Sequence, residues 1–168
     1  MARTISGVYS YAITDQAGQT GAYVFLSLIN PVASGKLIAI RKLDYQAYGV
    51  AASITKISKR MSRISSVSGG VDVSGTAIAK HDTTFSNALA TLKITNPTVG
   101  QVADIKSFPP AIIITAAGTY PSPEVDFNPR SDDDDIILRE GQGISIYQTA
   151  AGTANETMNF RVSWMEYT

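Results

Sequence analysis

The chain has 168 residues, 44% of them hydrophobic, with 14 basic and 14 acidic side chains and no cysteine. That is one domain's length, enough to bury a sizeable core without covalent staples. The missing thiols exclude disulfide scaffolds, thiolate zinc sites and cysteine nucleophiles, and the zero net charge gives no global pull toward nucleic acid.

Met1 to Thr4 leads into polar, glycine-containing sequence and not into an apolar signal core, so no export signal is read there. The stretch 1–21 stands apart. Thr4 to Tyr11 is weakly patterned and Asp15 to Gly21 is polar, so it reads either as an edge strand with its loop or as an arm that pairs with another subunit. The remainder, 22–168, reads as the main domain. Tyr23 to Ile29 is apolar on both faces, as a doubly covered central strand is, and the apolar run around it is far too short for a membrane helix. Pro31 and Gly35 bracket a turn. Leu37 to Tyr48 follows as a long strand, with Leu37, Ala39, Arg41, Leu43 and Tyr45 on one face and Ile38, Ile40, Lys42, Asp44 and Gln46 on the other.

Ser53 to Ile64 satisfies two periods. Ile54, Ile57, Met61 and Ile64 suit a helix, while Thr55, Ile57, Lys59, Met61 and Arg63 suit one strand face; the β-branched neighbours favour the strand, with a bulge to repair the phase. Ser65 to Gly70 is expected to be a turn or loop. Thr76 to Lys80, Ala88 to Thr95, Ala111 to Thr115, Ile136 to Arg139 and Ile144 to Thr149 read as strands, and Val102 to Lys106 as a helical turn. In the last strand Met158, Phe160, Val162 and Trp164 alternate with polar residues, which assigns Trp164 to a core. Some eight to ten short strands without intervening helices predict an all-β fold, an antiparallel β-sandwich. A jelly roll is the first expectation and an immunoglobulin-like sandwich the second.

Catalytic chemistry finds little footing, and the chain is expected not to be an enzyme. The single histidine, His81, adjoins Asp82, but no Gly-x-Ser-x-Gly elbow supplies a nucleophile. Glu124 and Asp126, two apart, do not by themselves make a glycosidase pair. Asp132, Asp133, Asp134 and Asp135 form the strongest charge run. Consecutive aspartates diverge where calcium needs converging oxygens, so the run reads as a solvated loop, with a divalent site or an acidic docking patch as the alternatives. No cofactor is expected. Lys56, Lys59, Arg60 and Arg63 lack the interleaved aromatics of a nucleic-acid surface and become candidate assembly contacts with the aspartate run. From Arg3 to Arg63 there are eight basic and two acidic residues, about +6; beyond, six basic and twelve acidic, about −6. Such halves either interleave on one surface or steer copies together.

Several segments together carry a resemblance. These are Arg41 to Asp44, the basic strand ending Arg63 to Gly70, Ala79 to Asp82, Ile137 to Ile144, and Gln148 to Asn155 before a closing strand with Trp164. Over roughly residues 36–168 the chain resembles tailed-bacteriophage jelly-roll capsid decoration (cement) proteins. The resemblance implies a virion protein on the capsid surface, made in the host cytoplasm. It implies a homo-oligomer, a trimer, bound to the major capsid protein, with no nucleic acid, no membrane and no catalytic residues. The alternative is a carbohydrate- or receptor-binding sandwich of a phage particle, with Tyr45, Tyr48 and Tyr120 as platforms.

Overall fold

A computed structural model describes residues 4–49, 59–108, 125–127, 136–149 and 156–168, the side chains of 48, 49 and 125–127 excepted. Within these lie twelve strands and no helix. Hydrogen bonding divides them into two sheets. The first contains β10 (Ile136–Leu138), β3 (Leu37–Gly49), β12 (Glu156–Tyr167), β1 (Ile5–Ala17) and β6 (Ala79–Lys80) in that order, with β9 (Val125–Phe127) also on β3. The second runs β5 (Val71–Asp72), β7 (Thr91–Ile94), β2 (Tyr23–Ile29), β11 (Gly143–Gln148), β4 (Arg60–Ser68), β8 (Thr98–Ser107). Every pairing is antiparallel, and the two sheets pack as a sandwich.

The pairs nest from the outside of the chain inward: β1 with β12, β2 with β11, β3 with β9 and β10, β4 with β8. The chain thus folds back on itself as one long double strand rolled into two sheets, which is the jelly roll. The immunoglobulin-like order, with strands ABED against CFG, is not the one observed. Residues 69–97 are an excursion between β4 and β8. It visits the second sheet through β5, crosses to β1 of the first as β6, and returns as β7, tying the two sheets on one side. Residues Ile5 to Ala17 lie in their own chain's sheet, paired with β12 over nearly their full length.

Local departures from simple alternation have physical causes. In β3, Ser163 faces Lys42 and Trp164 faces Ile40, so Arg41 is an extra residue, a β-bulge. The bulge lets Ile38 and Ile40 point inward and then Leu43, Tyr45 and Ala47 as well, all at most 1% exposed. The strict alternation expected for this strand set Ile40 and Leu43 on opposite faces; the core overrides it. Val102 to Lys106 is not a helical turn but the middle of β8, where Val102 and Ile105 are extra residues relative to β4. Two bulges three residues apart imitate a helical period. Ser65 to Ser68 continue β4 and are not a loop; the reversal is confined to Gly69 and Gly70, both at positive φ. The strand expected over Thr76 to Lys80 shrinks to Ala79–Lys80, that over Ala88 to Thr95 to Thr91–Ile94, and Ala111 to Thr115 lies outside the described residues.

The core joins the layers through aromatic contacts. Ring centroids step from Tyr23 to Phe25 (5.1 Å), to Phe160 (5.3 Å), to Tyr45 (5.3 Å) and to Phe108 (5.3 Å), crossing from β2 to β12 and β3. Trp164, fully buried, stacks obliquely on Tyr9 at 5.7 Å. Leu26, Leu28, Ile144, Ile146 and Met61 complete the facing sheet. Each such side chain contributes on the order of 2 kcal/mol by leaving water, so the sandwich holds without cross-links.

Candidate functional site

The basic segment divides by strand phase. Lys56 lies outside the described residues. Lys59, expected at a docking surface, is instead fully buried: its Nζ donates to Glu156 Oε2 at 2.6 Å and stands 5.9 Å from the Phe25 ring centroid. Lys59, Met61 and Arg63 share one face of the strand, and Met61 is in the core, so Lys59 must follow it inward. Arg63 also reaches inward: its Nη1 donates to the Ile137 carbonyl at 3.3 Å, linking β4 to β10 of the opposite sheet. Arg60 alone of the described three faces out from the second sheet. Its guanidinium binds Asp104 Oδ2 at 3.1 Å, and the other oxygen of Asp104 accepts the Tyr147 hydroxyl at 2.5 Å.

These contacts set the local electrostatics. Hydrogen bonding to Asp104 holds the Arg60 guanidinium still more firmly protonated, while burial, reinforced by the Asp104 contact, raises the Tyr147 phenol above its usual range. Two ion pairs, Lys59–Glu156 and Arg60–Asp104, join the basic first half of the chain to the acidic second half. Part of the sequence's charge asymmetry is therefore neutralised inside one subunit.

Around Lys59 several chain segments meet. The Lys59 carbonyl accepts the Phe108 N–H at 2.8 Å, and the Glu156 carbonyl accepts the Gly18 N–H at 2.5 Å. The Tyr45 hydroxyl is buried beside this pair and has no hydrogen-bond partner among the described residues. Burial, then the negative charge of Glu156, drives its pKa far up, so the phenol stays neutral. Tyr45 is thus a core residue and not a sugar platform; the Tyr48 side chain and Tyr120 lie outside the described residues.

The other singled-out groups are dispersed. His81 is an exposed turn residue whose N–H donates to the Val8 carbonyl at 2.9 Å. Asp82 does not orient it: that carboxylate accepts the Thr84 N–H and hydroxyl at 2.8 and 2.7 Å, and those bonds hold it below the usual carboxylate range. Asp132 to Asp135 and Glu124 lie outside the described residues; Phe127 and Ile136, which bound the aspartate-bearing segment, both pair with β3, opposite Leu43 and Ile40. Among the described residues no group of three His, Asp or Glu side chains is placed to hold a metal. Nor is any helix there long and apolar enough to cross a membrane.

A second buried carboxylate escaped the sequence reading. Glu166, 2% exposed near the other end of β12, accepts the N–H groups of Leu89 (2.9 Å) and Ala90 (3.0 Å) and, more loosely, the Trp164 indole N–H (3.4 Å). It fastens the 69–97 excursion to the first sheet, as does the Tyr9 hydroxyl donating to the Ser86 carbonyl at 3.0 Å. Position in the strand was the available clue: Glu166 keeps the phase of Trp164 and so points inward.

Open grooves indent the described surface, and three of them differ in the charge they present. One is bordered by Lys36, Arg139 and Glu140, another by Asp44 and Arg161, and the third by Tyr23, Asn96, Gln101 and Tyr147. The fold defines the class, a jelly-roll β-sandwich. Comparison with protein-family models, curated proteins and solved structures returned no match.

Proposed function

We propose that this chain is a structural virion protein that binds the outside of a phage capsid and stabilises neighbouring capsid subunits. The observation that carries the reading is the nested jelly-roll pairing, the fold that the resemblance to capsid decoration proteins implies. The interior supports it: Trp164, Tyr9, Phe25, Tyr45, Phe108 and Phe160 fill the space between the sheets, leaving contact to the outer surface. A rigid slab with ion pairs tying its strands suits a protein that resists deformation of the shell beneath it. The same reading makes the chain a homo-oligomer, with a trimer expected, whose partner is the major capsid protein.

Of the basic residues considered as contacts, Arg60 is the described one still presented outward, which favours a docking surface around Arg60 and Asp104 in this reading. Light scattering and co-sedimentation with emptied capsid shells test this. The expected result is an oligomer that pellets with shells at low salt and is released as salt rises. Arg60→Glu should weaken that binding while leaving the circular-dichroism spectrum unchanged. A strict monomer with no affinity for shells would overturn the assignment.

A further inference from the structure

The third groove, with a volume of about 400 Å³, differs chemically from the other two: its lining holds no charged side chain. It is formed where the start of β2, the β7–β8 turn and the end of β11 converge. Exposed amides and hydroxyls face it from Asn96, Thr98, Gln101 and Thr149, and Tyr23 supplies a half-buried ring at its side.

The backbone here is held in an uncommon state. Thr95 and Asn96 both adopt positive φ, at 63° and 57°. Asparagine tolerates that region, but a β-branched threonine enters it only against steric cost. Two hydrogen bonds to one residue keep the turn in place: the Asn96 N–H donates to the Val24 carbonyl at 2.9 Å, and the Val24 N–H donates to Asn96 Oδ1 at 3.0 Å. Asn96, its oxygen so engaged, lines the groove. On the opposite wall, Tyr147 is fixed by its hydroxyl bond to Asp104, and Gln148 by donation to the carbonyls of Gln19 and Gly21. Strain retained beside a preorganised polar groove is a mark of a site that something uses.

We propose that this groove binds a neutral saccharide. A sugar offers hydroxyls that donate and accept at once, which amide and hydroxyl side chains match, and apolar C–H faces that pack on a tyrosine ring. An anionic or cationic ligand would have to shed water with no countercharge in the lining to compensate it. The groove adjoins the surface assigned to capsid binding, because Tyr147 in its wall is bonded to Asp104, the partner of Arg60, but saccharide binding does not require that assignment.

Saturation-transfer NMR on the intact chain tests it, with a panel of neutral oligosaccharides that includes maltohexaose and chitohexaose, and with sialyllactose and an uncharged hexapeptide as comparators. Signal is expected from at least one neutral saccharide. Its affinity should fall about tenfold or more in Gln101→Ala or Thr98→Ala, both exposed positions, and be unchanged in Arg139→Ala in the first groove. Silence from every neutral saccharide overturns the proposal, as does binding that favours sialyllactose or the peptide. Saccharide binding indifferent to Gln101→Ala and Thr98→Ala overturns it too.

Discussion

The two ends of β12 solve one problem in different ways. Both carry a buried glutamate, Glu156 at the start and Glu166 near the finish. At the first end the charge is met by another buried charge, Lys59, at 2.6 Å. At the second it is met by backbone N–H groups of Leu89 and Ala90 and by the Trp164 indole. An ion pair is an all-or-nothing arrangement, because removing one partner leaves the other uncompensated in a poor solvent. Dipoles cost less to lose. Leu89 and Ala90 lie in an excursion held also by Tyr9, so the second end is the more forgiving one.

Breaking the first end should give the largest effect. Glu156→Leu removes the carboxylate that meets the buried Lys59 ammonium and should cost about 3–5 kcal/mol in urea unfolding, with the melting temperature falling roughly 2–4 °C per kcal/mol. Adding Lys59→Met to it should return most of that stability, since a buried ion pair is often no better than an apolar one. A double variant no more stable than Glu156→Leu alone would show that the pair serves more than mutual neutralisation. Glu166→Gln keeps an acceptor and loses the charge, so about 1–3 kcal/mol is expected. Hydrogen exchange should quicken at the Leu89 and Ala90 amides while the Tyr45 region stays protected.

Tyr45 sharpens the comparison on the alkaline side. Burial and Glu156 raise its folded pKa, and burial raises those of Tyr9, Tyr23 and Tyr147. In the unfolded chain a tyrosine loses its proton near pH 10. A group whose proton is held more tightly in the folded state stabilises fully below that unfolded value and less as pH rises toward the folded one. Stability should therefore be flat with respect to these groups up to about pH 10, then fall by at most about 1.4 kcal/mol per pH unit from Tyr45 alone. Tyr45→Phe should flatten the slope, and it removes a buried hydroxyl that has no partner among the described residues; an unchanged slope would refute the assignment. The smallest effect is expected at Arg60. Its pair with Asp104 is exposed and screened by solvent, so Arg60→Ala should leave the urea-unfolding midpoint nearly unchanged and be felt in shell binding instead.

Much of this was legible in the chain. Tyr23 to Ile29 reads as a covered strand and is one; Met158, Phe160, Val162 and Trp164 read as an inward face and fill the core. Errors arose where a bulge inserts a residue, at Arg41 and across Val102 to Ile105. A period-two or period-three count taken along one strand has no access to the residue opposite. The candidate contacts suffered similarly: four basic residues close in sequence look like one patch, yet Lys59 and Arg63 follow Met61 inward while Arg60 does not.

By itself the sequence determined an all-β chain, its main core strands and the absence of thiol chemistry, because apolar alternation and composition are local and survive in one dimension. Only the tertiary structure decided which charges are buried, which residues bulge, and that an uncharged groove forms from three segments distant along the chain. The reason is physical: burial depends on what lies across the sheet and across the sandwich, and hydrogen-bond partners 97 residues apart, as Lys59 and Glu156 are, have no signature until the chain has closed.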